Sequence, residues 1–75
     1  MSVYDAKVNK KWLKHIEDNK LNKGYVSIWN FADPEETNGY LHIIDKDFIG
    51  LKREPSDEEC FTIFRLSSIA QIMER

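Results

Sequence analysis

Apolar residues recur every four positions early in the chain, at Val8, Trp12 and Ile16, with Leu13 beside them. That spacing lays one apolar stripe along a helix, and the intervening lysines fall mostly on the opposite side. The pattern predicts a helix over residues 3–19. Ser2 stands in an N-cap position, with Asp5 three residues on as a weaker form of the capping box. Asn19-Lys-Leu-Asn-Lys-Gly24 carries stop signals, and Gly24 is the expected end cap.

From Tyr25 the period changes. Tyr25-Val-Ser-Ile-Trp-Asn-Phe31 is rich in β-branched and aromatic residues and reads as a strand. Asp33-Pro-Glu-Glu-Thr-Asn-Gly39 reads as a loop, with Asn38-Gly39 as its turn pair. A second strand is expected over Tyr40 to Asp45, a polar turn at Lys46-Asp47, and a third strand over Phe48 to Arg53. Glu54-Pro-Ser-Asp-Glu-Glu59 is an acidic loop whose proline and charges do not suit a strand interior. A fourth strand follows over Cys60 to Leu66, then a corner at Ser67-Ser68. Ile69 to Met73 is expected as a short fifth strand rather than a helical turn.

These elements predict a mainly β (α+β) fold in one domain spanning residues 1–75: an amphipathic helix followed by five short antiparallel strands. Such a sheet leaves two edges exposed unless it bends strongly and closes, so a small barrel over residues 25–74, capped by the helix, is the expected architecture. Its core would join Val8, Trp12 and Ile16 to Ile28, Leu41, Ile43, Ile49, Leu51, Ile63 and Ile69. Each such side chain is worth about 1.5–3 kcal/mol when buried. Chain entropy largely cancels that gain, so truncation of Trp12 is expected to be severe.

Composition narrows the class. Seventy-five residues with 41% hydrophobic and 32% charged content suit one small soluble domain rather than a disordered chain. The single cysteine, Cys60, excludes an intramolecular disulfide and a multi-thiolate metal site. No stretch approaches the length of a transmembrane helix, and Met1 to Lys11 lacks a signal-peptide apolar run, so a cytoplasmic location without membrane contact is expected. The net charge of −2 averages two unlike parts. Residues 1–24 hold six lysines against three acidic residues, giving +3, and residues 25–75 hold five basic against ten acidic, giving −5. The overall balance disfavours a general nucleic-acid binder.

The strand region resembles the Sm-like small barrels of bacteria and archaea, within the wider class of SH3-like barrels. Gly39, Leu41, Ile44 and Asp45, followed by Ile49 and Leu51, match the family's first signature. Ile63-Phe64-Arg65, Ser67-Ser68, and then Ile69 and Ile72 match its second. The resemblance covers residues 3–74. It implies an N-terminal helix, five strongly bent strands, and rings formed by pairing the fourth strand of one subunit with the fifth of the next. RNA-binding members carry an asparagine after the apolar pair of the third strand and a glycine directly after the arginine. Here those places hold Gly50 and Leu66, so of the uracil-pocket residues only Arg65 carries over.

No catalytic constellation emerges. His15 and His42 have no nucleophile motif to serve, and Glu58 and Glu59 beside Cys60 disfavour a thiolate. The acidic clusters lack calcium-loop spacing, and neither a metal nor a cofactor is expected. The expected function is therefore binding of a protein by a non-enzymatic accessory or regulatory factor of a bacterium or phage. Alternation places Tyr25, Ser27, Trp29 and Phe31 on one strand face and Val26 and Ile28 on the other. Trp29, Phe31 and Tyr40 are the candidate contact, because large exposed aromatics mark binding surfaces. A homo-oligomer is the competing use of the free edges. The alternative is an oligomeric Sm-like RNA binder, using Arg65 and the helix lysines Lys7, Lys10, Lys11 and Lys14.

Overall fold

Helix α1 runs from Val3 to Asp18 in the computed structural model, which describes the backbone of residues 3–75 and the side chains of residues 6–75. The expected cap at Ser2 and the Asp5 side chain lie outside the described residues. Ile16 is fully buried, while Val8, Trp12 and Leu13 are half-buried along the same side of the helix. The lysines Lys7, Lys10, Lys11 and Lys14 are exposed.

The helix does not end at Gly24. Lys20 adopts the left-handed conformation (φ 54°) and closes a Schellman motif. Its N–H donates to Glu17 O at 3.1 Å, and the Leu21 N–H donates to Ile16 O at 2.9 Å. Leu21 and Ile16 are both buried, which supplies the apolar contact that accompanies this motif. Burial of Leu21 thus sets the stop, and a lysine occupies the place where glycine is usual. Lys23 is left-handed as well (φ 68°), whereas Gly24 is not. Backbone bonds from Lys23 N to Leu41 O (2.8 Å) and from Leu41 N to Gly24 O (2.9 Å) tie this connection to the sheet.

The sheet comprises β1 (Tyr25–Asn30), β2 (Asp33–Ile43), β3 (Phe48–Lys52), β4 (Thr62–Arg65) and β5 (Ile69–Glu74), all neighbours antiparallel in the order β4-β3-β2-β1-β5. A 3₁₀ turn, Leu66–Ser68, separates β4 from β5. The fold is therefore mainly β with one helix. The expected closure is not present: β4 and β5 are the two ends of the sheet and do not pair.

Residues 33–39 are strand rather than loop, and Asn38-Gly39 makes no turn. The turn falls at Phe31-Ala32, with Asn30 opposite Asp33, Ser27 opposite Asn38 and Val26 opposite Gly39. This half of β2 pairs with β1 alone, because β3 joins only from Tyr40 onward. Pro34 is tolerated there, since an edge segment has no ladder bond to lose on its open side. Gly39 answers to a different demand from that of a turn. A Cβ at this position would lie 2.9 Å from Leu51 Cβ and 3.0 Å from Lys52 O, so β2 and β3 cross too closely for any side chain.

β4 is also shorter than expected. Cys60 and Phe61 lie in the preceding connection, and Leu66 begins the 3₁₀ turn. Ile63, expected in the core, is 59% exposed, whereas Phe64 is buried opposite Ile49. Ile63 instead faces Gly50 on the outer side of the sheet. The remaining core comprises Val26, Ile28, Leu41, Ile49, Leu51, Leu66, Ile69 and Ile72.

One polar node joins these parts. Asp45 Oδ1 accepts the N–H groups of Asp47 (2.7 Å) and Phe48 (2.9 Å), setting the β2–β3 turn. Asp47 then accepts the side-chain amide of the buried Asn9 at 3.0 Å and, through its carbonyl, the Leu66 N–H at 2.9 Å.

Ile16, rather than the half-buried Trp12, is the helix's deepest anchor. Ile16→Ala is expected to cost about 2–5 kcal/mol in urea unfolding, a large share of a small domain's stability. A loss below about 1 kcal/mol would mean that the helix is not packed as described.

Candidate interaction surfaces

The outer face of β1 carries the aromatic residues expected to form one contact. Tyr40 lies opposite Tyr25, and their rings meet edge to face at 5.1 Å. Trp29 is half-buried opposite Gln71 of β5, and Phe31, at the hairpin turn, is 78% exposed. At about 3.3 Å per residue, Tyr25 and Trp29 stand roughly 13 Å apart. The structure thus splits the expected patch, with Tyr40 at one end of β1 and Trp29 and Phe31 at the other.

A polar cluster fills the space between. Ser27 is fully buried although it faces outward. Its hydroxyl donates to Asn38 Oδ1 and accepts from Arg75 Nε at 2.6 Å, while the Arg75 guanidinium pairs with the Glu36 carboxylate. The Arg75 N–H also donates to Tyr25 O at 3.0 Å. Hydrogen bonding by Arg75, helped by the Ser27 hydroxyl, holds the Glu36 carboxyl below its ordinary value. Sequence inspection misses this cluster because its members stand at positions 27, 36, 38 and 75 and form no local motif.

Each end of the sheet is unpaired among the described residues and carries one large exposed apolar side chain. Ile63 on β4 is 59% exposed and Met73 on β5 is 46% exposed. Arg65, beside Ile63 on β4, is exposed and lies over the Phe48 ring, 5.9 Å from its centroid. Cys60 sits across Gly50, where an added Cβ would meet the Cys60 Cβ at 2.8 Å.

The helix lysines do not act as one group. Lys14 projects to solvent. Lys11 lines a groove between the helix and β5, together with Trp12, His15 and Ile72. Lys7 and Lys10 rim a separate groove of about 290 Å³ between the helix and the β2–β3 turn. Lys46 of that turn forms the far wall, and Ala6 and Leu13 form an apolar floor beside Asn9 and Asp47. Nothing in the sequence pairs Lys46 with Lys7 and Lys10, because more than 30 residues separate them.

Among the described residues no helix is long and apolar enough to cross a membrane, and no group of three or more His, Cys, Asp or Glu side chains could hold a metal ion. Comparison with protein families, curated proteins and solved structures finds no match to this chain.

The polar cluster predicts a pH dependence. A carboxylate whose folded value is depressed adds stability that is complete above its unfolded value, ordinarily 4.5, and is lost as pH falls through the folded value. Wild type is expected to melt above Glu36→Gln at neutral pH, with the two curves converging on acidification. A gap that stays constant with pH would contradict the assignment.

Proposed function

We propose that this chain is a non-enzymatic, protein-binding module built as an Sm-like or SH3-like small barrel, and that its first partner is another copy of itself. The observation that carries this reading is the state of the sheet ends. β4 and β5 each present an open edge, and each carries a large exposed apolar side chain, Ile63 on one and Met73 on the other. An open edge bearing apolar side chains is a template for another strand. Because the two edges belong to different strands, pairing one with the other between copies is a heterologous contact that closes into a ring when the rotation permits.

The strand order supports the barrel reading. In β4-β3-β2-β1-β5 the first and last members are joined by only the 3₁₀ turn Leu66–Ser68. Phe31 at the hairpin tip, with Trp29 beside it, remains available to a different protein. In this reading the protein works in the cytoplasm as an accessory or regulatory factor of a bacterium or phage.

Light scattering of the purified chain tests the assembly. A mass several times that of the monomer is expected, and Ile63→Ser combined with Met73→Ser is expected to return it to the monomer while leaving the helix content unchanged. A wild-type monomer at micromolar concentration would overturn the reading.

A second reading, an oligomeric RNA-binding protein, is favoured by one observation. Arg65 is exposed and lies over the Phe48 ring, a cation beside an aromatic ring, as single-stranded nucleic acid sites use. It predicts retention of a uridine-rich oligonucleotide that weakens steeply with salt and is lost in Arg65→Ala. Absence of retention at low salt removes it.

A further inference from the structure

The groove between α1 and the β2–β3 turn has a chemistry of its own. Three lysines, Lys7, Lys10 and Lys46, line it together with the apolar side chains of Ala6 and Leu13. The single carboxylate in the lining, Asp47, is already engaged by the Asn9 amide at 3.0 Å. The rim is thus net positive and the floor apolar. We infer that this groove docks an acidic segment of a partner protein, with an aliphatic side chain seated on Leu13 and flanking carboxylates facing Lys7, Lys10 and Lys46.

Three features select that occupant. Charge complementarity requires an anion, in a chain whose other basic residues are spread over the remaining surfaces. The floor offers no polar donor to a bare phosphate, but it rewards a side chain of about leucine size. The described lining residues include no aromatic side chain on which a base would stack. The walls are also fixed in relation to each other. Lys46 sits in a turn held by Asp45, and that turn is joined to the helix by the Asn9–Asp47 bond. Little ordering is left to be done on binding.

This inference deepens the protein-binding reading by naming a partner class, and it rests on that reading without depending on edge pairing. The test uses fluorescence anisotropy with a labelled peptide carrying a central leucine between glutamates. The controls are the same peptide with serine for leucine and a uridine-rich oligonucleotide. Each probe is measured on wild type and on the Ile63→Ser, Met73→Ser variant, so failure of self-association and failure of the groove are read separately. The leucine peptide is expected to bind both proteins, and the serine peptide about tenfold more weakly. Lys10→Glu with Lys46→Glu is expected to lose at least about tenfold in affinity, with a retained melting temperature. Lys46→Gln, which removes one charge, is expected to fall between. Equal binding of the two peptides, no binding to wild type, or tighter binding of the oligonucleotide with displacement of the peptide would each overturn the assignment.

Discussion

The Asn9–Asp47 hydrogen bond is the constraint on which the rest of the architecture turns. Asn9 is a buried polar residue on a helix face otherwise given to apolar packing, and its amide reaches a turn 38 residues away. Asp47 in the same turn also accepts the Leu66 N–H, so the helix, the β2–β3 hairpin and the 3₁₀ turn meet at one residue. Apolar contacts alone would let the helix slide or rotate over the sheet, because the hydrophobic effect is non-directional. A directional bond fixes the register, and leaving the buried Asn9 amide unsatisfied would be costly. The basic groove exists because this bond holds the helix beside Lys46.

Close approach is the second requirement, and two glycines meet it by absence of a side chain. At Gly39 the β2 strand passes close to Leu51 and Lys52 of β3, and at Gly50 the connection bearing Cys60 crosses the outer face. Neither glycine takes a positive φ. Their role is steric: Gly39 makes room for Leu51 and the Lys52 carbonyl, and Gly50 for the Cys60 side chain. The left-handed positions fall instead on Lys20 and Lys23, where the buried Leu21 sets the path of the chain.

How much of this was legible in the sequence follows from which signals are local. The helix stripe and the β-branched runs of β1, β3 and β5 report their own period, and each appears within a residue or two of the expected place. The segment Asp33–Gly39 misleads because its composition is that of a loop, while its geometry is set by β1 on one side and open space on the other. Adjacent apolar residues such as Ile63 and Phe64 cannot be assigned to faces without the register to Gly50 and Ile49. Lys7 and Lys10 were visible as basic helix residues, whereas their partnership with Lys46 depends on a tertiary bond. The burial of Ser27 likewise depends on Arg75, Asn38 and Glu36, none of them a sequence neighbour.

The one-sided pairing of β2 has a consequence for how copies of this chain meet. Besides β4 and β5, residues 33–39 offer a third unpaired edge, and three such edges would ordinarily invite branched, uncontrolled aggregation. This edge, however, carries Pro34, which cannot donate to a ladder, and the exposed Glu35, whose charge would face its own kind across a paired edge. The acidic stretch that disguises the strand in the sequence is also its guard. It leaves two open edges rather than three, so that in the proposed assembly each copy has only two points of attachment.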